Sequence, residues 1–347
     1  MRQVGATFRQ AGVQCIYLVH GTFVGTDALG VMGELGRVLP AAGKAVRRAI
    51  KRIVDKVAGE AGNYTSNYAR CLETSLHQEG ERPIPVRLFH WSSENHHIGR
   101  SDGAVRLIDE MASLEVPPGR RILLWGHSHA GNVFALMTNL LAGDRQAVDR
   151  FFDASKIYYR WPVFGCVDIP VWRRVHELLV GKLSPFAGVG LDMVTFGTPI
   201  RYGWAPGGYS RLLHFIHHRP RAGLPEYRAP FPPKFHDVMK AADGDYVQQL
   251  GIAGTNVMPS VFSWRAWVAD NRLRRLLQHD LSETGRRERF QAGAIVPDAG
   301  TALLVDYGRP EGGIARHLAG HAVYTRKKWL LFHAEEVARR LYESDCS

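Results

Sequence analysis

Cysteine is scarce in this 347-residue chain, which holds four: Cys15, Cys71, Cys166 and Cys346. No two of them form a C-x-x-C pair, so neither a zinc site nor a disulfide framework is signalled, and all four read as reduced thiols. Long apolar runs are also missing; no stretch approaches the roughly 20 residues needed to cross a bilayer. The N-terminus, Met1-Arg2-Gln3-Val4-Gly5-Ala6-Thr7, lacks the apolar segment that follows the basic residues of a secretory signal. A cytoplasmic protein is expected, and export by a route that needs no N-terminal signal stays compatible with that. Acidic residues are in deficit, 33 Asp+Glu against 44 Lys+Arg, for a net charge of +11. This balance suits an anionic partner such as a membrane surface, acidic lipid or nucleic acid, without choosing among them. The signatures that would choose nucleic acid are absent: no aromatic-basic ribonucleoprotein motif, no paired Cys/His finger, no basic region running into heptads.

What is present is enough apolar material, 45% of residues, to bury a sizeable core. The Pro-rich stretch at 219–233 is the best candidate for a domain boundary. The motifs below fall on both sides of it, so a single domain over 1–347 with insertions is the preferred organisation. The order of apolar runs and helical patterns is strand, helix, strand, helix, which indicates a parallel sheet covered on both faces.

One stretch organises the rest. Arg120-Arg121-Ile122-Leu123-Leu124-Trp125 is a β-forming run that stops at Gly126, turns through His127-Ser128-His129, and resumes from Ala130 with small and apolar residues at helical spacing. A turn that sharp strains its central residue and brings the residues two before and two after it into near contact, so both must be small, as Gly126 and Ala130 are. A glycine, a serine and a histidine can also form an ordinary strand-to-helix connection. The flanking strand and small-residue helix favour a nucleophile elbow, and here the residues resemble the α/β-hydrolase superfamily in its lipase/esterase branch. Ala130 stands where glycine is usual in that motif.

The resemblance implies an α/β-hydrolase fold: a mostly parallel sheet with helices on both faces, reduced N-terminal strands and helical, lid-like insertions. The run Gln14-Cys15-Ile16-Tyr17-Leu18-Val19 ends in His20-Gly21, which resembles the oxyanion loop of that superfamily. On that likeness the backbone N–H groups of Thr22 and His129 hold the oxyanion. Too few residues precede this strand to hold the family's first two. A later strand, 191–196, ends in Gly197-Thr198-Pro199, as lipase-like strands after the nucleophile helix often do.

A serine needs an imidazole to take its proton, and the imidazole needs a carboxylate to fix its tautomer. The family's order is Ser, acid, His. The Asp-x-Val run after a glycine turn resembles the acid loop of that family, which makes Asp245 the expected acid, with Asp243 the runner-up and Asp237 third; each is also the kind of aspartate that caps a helix or makes a turn. Asp192 and Asp306, each beside a strand's apolar run, read as structural. The resemblance implies a base in the loop between the last strand (301–308) and the last helix (326–342), where the family keeps it, and there Gly320-His321 is preferred to His317 because the glycine allows close approach. His127 and His129 are assigned no proton transfer, and His333 is a packed or surface residue.

Two insertions complete the reading. Residues 26–82 are largely helical by pattern, and within them Lys44 to Val57 form a basic amphipathic segment with Val46, Ile50, Ile53, Val54 and Val57 in one stripe. This suits either a surface helix packed on the core or a lid that docks on an anionic membrane. Residues 143–188 hold Tyr158, Tyr159, Trp161 and Phe164, either a satellite core or the lining of a substrate pocket. The loop pair His96-His97 lacks a third ligand at recognisable spacing and reads as solvent-exposed rather than metal-binding. The expectation is a serine hydrolase of carboxylic esters, lipids among them, that needs no metal or organic cofactor. An acyltransferase or thioesterase would use the same residues, and an inactive hydrolase fold could serve as a lipid- or protein-binding module.

Overall fold

A computed structural model describes residues 1–21, 62–161, 167–181, 184–230, 233–252, 258–259, 263–277, 300–310 and 317–343. Thr22, the basic segment from Lys44 to Val57, most of the 26–82 insertion, Cys166 and Cys346 lie outside the described residues. Six parallel strands form one sheet: β1 (Val13–Val19), β2 (Val86–Phe89), β3 (Arg121–His127), β6 (Gly190–Phe196), β7 (Arg211–His217) and β8 (Thr301–Val305), in the spatial order β2-β1-β3-β6-β7-β8. The four central strands, β1, β3, β6 and β7, are buried on both faces, whereas the edge strands β2 and β8 are partly exposed. β7 and β8 pair with each other although the Pro-rich 219–233 stretch lies between them.

Side chains alternate between two cores, as the two-residue period of a strand requires. Tyr17, Val19, Ile122, Leu124, Leu191 and Met193 face one core, while Ile16, Leu18, Leu123, Trp125, Val194 and Phe196 face the other. Helices α3 (His97–Ala112), α4 (Ala130–Ala142), α5 (Arg145–Tyr159), α6 (Pro170–Val180) and α9 (Trp264–Leu277) supply apolar residues to the first. The second is closed by α1 (Arg2–Gln10), α2 (Ser66–Leu76) and α10 (Leu330–Ala338). The chain is thus a three-layer α/β structure, and none of its described helices is long and apolar enough to cross a membrane.

Several element boundaries differ from expectation for local reasons. The first helix, α1, is absent from the sequence expectation; its buried Val4 and Phe8 pack into the second core, with Phe8 edge-on to Tyr342 at 5.5 Å. α3 begins at His97 because the His96 side chain caps it, Nδ1 accepting from the Gly99 amide at 2.9 Å. The last helix divides into a 3-10 turn (Lys327–Trp329), α10, and a wider final turn (Arg339–Glu343). In the 143–188 insertion, Tyr159 stacks on Trp172 with centroids 5.1 Å apart, and Phe151, Phe152 and Tyr158 surround the same indole. These tyrosines are buried members of the first core. A two-stranded hairpin, β4 (Arg160–Trp161) and β5 (Val167–Asp168), links α5 to α6.

Topology marks one place for a ligand. The chain leaves β1 to build β2 on one side and returns to build β3 on the other, so the connections diverge between the carboxyl ends of β1 and β3. Crevices at such switch points are where open α/β sheets bind ligands. Gly21 and Ser128 lie just past those two ends, where Val19 pairs with Gly126.

Candidate active site

Ser128 sits between β3 and α4 with φ +57°, the left-handed region that costs a non-glycine residue about 1–2 kcal/mol. Its backbone is held against that strain. The Ser128 amide donates to Phe196 O at 2.8 Å, and its carbonyl accepts from Thr198 Oγ1 at 2.8 Å and from the Gly131 amide at 3.1 Å. The smallness expected of positions 126 and 130 has a visible cause. A first side-chain carbon at Gly126 would lie 3.1 Å from Ala130 Cβ and 2.5 Å from the Phe134 ring. Gly21, from the end of β1, approaches the serine just as closely, since a side chain there would put its first carbon 2.5 Å from Ser128 Cβ. The His129 amide, at the N-terminus of α4, donates to no acceptor among the described residues, as a donor reserved for an incoming oxygen would.

A second cluster forms beyond the ends of β6 and β7. Asp245 is fully buried at the start of α8 (Tyr246–Ile252), and its amide donates to His217 O at 2.9 Å. Oδ1 accepts from the Gln248 amide at 2.9 Å; Oδ2 accepts from His321 Nδ1 at 2.7 Å and from Tyr324 Oη at 3.0 Å. Tyr324 Oη in turn accepts from the His217 amide at 2.7 Å. Burial, then the neighbouring Asp245 charge, pushes the Tyr324 phenol well above its usual range, so it stays a neutral donor.

His321 lies in a tight segment, Leu318–Val323, bent by positive φ at Ala319 and Gly320. Because Nδ1 is committed to Asp245, Nε2 is the nitrogen left to accept a proton, and it is buried with no hydrogen-bond partner among the described residues. Ser128 Oγ is therefore not hydrogen-bonded to it. His127, the residue before the serine, fixes the loop from the other side: its Nε2–H donates to His321 O at 3.1 Å and its ring lies 4.6 Å from the His321 ring. Burial, followed by the His321 charge, pulls His127 down to about 3, which keeps it neutral. His129 is also held well below its ordinary value, first by burial and then by Arg100. Its Nδ1 accepts from Asn132 Nδ2 at 3.1 Å.

The remaining expected residues are elsewhere. Asp243 is paired with Arg221 at 2.7 Å and receives the Tyr246 hydroxyl; Asp237 is paired with the same arginine at 2.8 Å. His317 is buried and has no carboxylate partner among the described residues. Asp192 joins Arg121 and Tyr342 inside the second core, and His333 is fully buried against Tyr307. The expectation that His96 and His97 are solvent-exposed is wrong. Both are buried, His96 as the cap of α3 and His97 bonded through Nδ1 to Tyr202 Oη at 2.8 Å. Among the described residues no three His, Cys, Asp or Glu side chains gather as a metal ion would require. Sequence reasoning missed Tyr324 and Gln248 as holders of the acid and His127 as a brace for the His321 loop. For Tyr324 a signal existed, a tyrosine three residues past the candidate base; for Gln248, the Asp-x-x-Gln spacing of an aspartate that caps a helix. No family model, curated protein or solved structure matches the chain.

Proposed function

We propose that the chain is a serine hydrolase of the α/β-hydrolase type, cleaving carboxylic esters with lipid esters as the leading substrate class. The observation that carries this reading is the buried Asp245–His321 hydrogen bond of 2.7 Å, with the far nitrogen of His321 unpartnered, at the sheet end that also presents Ser128 in a strained turn. In this reading Ser128 Oγ attacks the ester carbonyl as its proton passes to His321 Nε2. Asp245 keeps the Nδ1 proton in place and offsets the imidazolium charge. The His129 amide, with that of Thr22 by the superfamily resemblance, receives the oxyanion. His321 then protonates the departing alcohol, and water repeats the sequence to release the acid. The serine–histidine hydrogen bond that this needs is one that commonly closes only when substrate fills the site.

The open Ser128–His321 contact also suits a second reading, an inactive hydrolase fold that binds lipid or protein. A fluorophosphonate probe separates the two. The first reading expects labelling of wild type, none of Ser128→Ala, and loss of ester hydrolysis by about 10⁴-fold or more in Ser128→Ala and His321→Ala. A folded wild type that takes no label supports the binding module. Short- and long-chain esters, a thioester, and an added alcohol acceptor then divide esterase, lipase, thioesterase and acyltransferase.

A further inference from the structure

Where α4, α5 and α9 meet lies a cleft of about 270 Å³. Leu136 and Leu140 of α4, Val148 and Phe151 of α5, and Leu276 and Leu277 from the last turn of α9 make its walls. The first four are buried and the two α9 leucines half-buried, so the cleft is an apolar seam open along one side. It is separate from Ser128, because Leu136 and Leu140 lie roughly 9 to 15 Å along α4 from its first residue. α5 and α9 run antiparallel: Arg265 donates to Ile157 O at 2.9 Å at one end, while Leu276 shares the cleft with Ala147 to Phe151 at the other. Arg272 lies on the Arg265–Leu276 face of α9, at the level of Arg150, which itself lines the cleft. Both arginines are exposed, and no ion pair among the described residues engages either. No described lining residue is acidic, and the carboxylates along α5 are spent: Asp144 accepts from the Ala147 amide at 2.7 Å, Asp149 pairs with His176 at 2.7 Å, and Asp153 with Lys156 at 4.0 Å.

We propose that this cleft binds a fatty-acid-type carboxylate, its alkyl chain along the seam and its head on Arg150 and Arg272 at the mouth. The volume, roughly nine waters' worth at about 30 Å³ each, admits a chain of several methylenes. A polar ligand finds no partner inside: the amide of Asn139 is already spent on Ala135 O and Gly203 O, both at 2.7 Å, and a polar group buried among the leucines would lose its hydration uncompensated. An unbranched chain has no such group and follows the line between two antiparallel helices. At the mouth the chemistry reverses. A guanidinium fork meets both oxygens of one carboxylate, and with no acidic side chain in the lining nothing competes for it. The site uses neither Ser128 nor His321, so it stands or falls independently of the hydrolase reading.

Equilibrium dialysis of the full chain against radiolabelled decanoate, kept below its micelle-forming concentration, reads affinity and stoichiometry together. Saturable binding at one site per chain is expected. Hexanoate is expected to compete at least tenfold more weakly, because four fewer methylenes leave water, and acetate not at all. Arg150→Gln is expected to weaken decanoate about tenfold while the inhibition constant of uncharged decanol stays the same. Ala147→Leu, which puts a larger side chain into the cleft, is expected to weaken both at least tenfold. Arg150 is exposed and Ala147 half-buried, and thermal unfolding of each variant without ligand reports its folding. Absence of saturable decanoate binding overturns the proposal, as does binding that both variants leave unchanged, which would place decanoate elsewhere, the neighbourhood of Ser128 included. Sedimentation of the unliganded chain tests the other occupant of an apolar seam: a dimer that Ala147→Leu dissociates assigns the cleft to a second copy and likewise overturns the proposal.

Discussion

Tyr324 Oη is the only side-chain hydroxyl among the described residues that donates to Asp245, and it also accepts from the His217 amide. Removing it should therefore do two things. Tyr324→Phe takes one of three hydrogen bonds from the carboxylate that orients His321, which is expected to lower kcat about tenfold with little change in KM, since substrate binding is untouched. It also leaves a buried N–H at His217 unsatisfied, for a stability loss of about 1–3 kcal/mol. Steady-state kinetics on a short-chain ester and urea unfolding read the two effects separately. Unchanged kcat would mean that Gln248 and the burial of Asp245 suffice to hold the pair. Asp245→Asn is the harsher change, because an amide can turn its NH₂ toward Nδ1 and reverse the imidazole tautomer.

Between elements, the site depends on strand ends that approach more closely than side chains allow. β6 ends at Phe196, and Gly197 turns with φ +59° so that Asp245 Oδ2 lies 2.5 Å from where its Cβ would be. The substitution Gly197→Ala meets both a backbone it disfavours and the Asp245 carboxylate. A loss of about 1–3 kcal/mol and a fall in kcat of at least tenfold are expected. Gly203→Ala is the matched control, with ordinary φ and no atom within 4 Å of the added carbon. Urea midpoints of the two variants check this; similar midpoints and rates would show that the loop at Asp245 can withdraw at little cost. The strand run, elbow and small residues of β3 and α4 were legible in sequence because each is a local demand on neighbouring residues. The start of α3 was not, since the residue that fixes it is a histidine acting as a cap, and the run His97-Ile98-Gly99-Arg100-Ser101 has no helical stripe to announce it.

Across the whole molecule, burial of neutral histidines sets the acid limit. His127 and His333 are pulled to about 3 and His97 to about 2, and His129 is held well below its ordinary value, in every case chiefly by burial. In the unfolded chain each would titrate near 6.5, so between that pH and its folded value the unfolded state binds more protons than the native one. Stability is therefore complete above about pH 6.5 and falls as pH drops, with each such histidine contributing a slope of up to about 1.4 kcal/mol per pH unit. Unfolding free energy measured from pH 7 to pH 5 should decline by more than one proton's worth per unit. His333→Gln, far from the proposed chemistry, should flatten that decline if it folds; a pH-independent unfolding free energy in wild type would contradict the assignment.

By itself the sequence determined what short-range sterics and periodicity can determine: alternating strands buried on both faces, a sharp turn that accepts only small neighbours around Ser128, and an ordered set of candidate acids and bases. It left Asp245, Asp243 and Asp237 as rivals, and His321 against His317, because residues 76 positions apart carry no local mark of meeting. Only the tertiary structure decided which of them meet. It spent Asp243 and Asp237 on Arg221, buried His317 away from any described carboxylate, and brought Asp245 and His321 within 2.7 Å. The reason is geometric: strand order sets which loops share one end of the sheet, and burial then requires each buried charge to be paired with whatever that neighbourhood supplies.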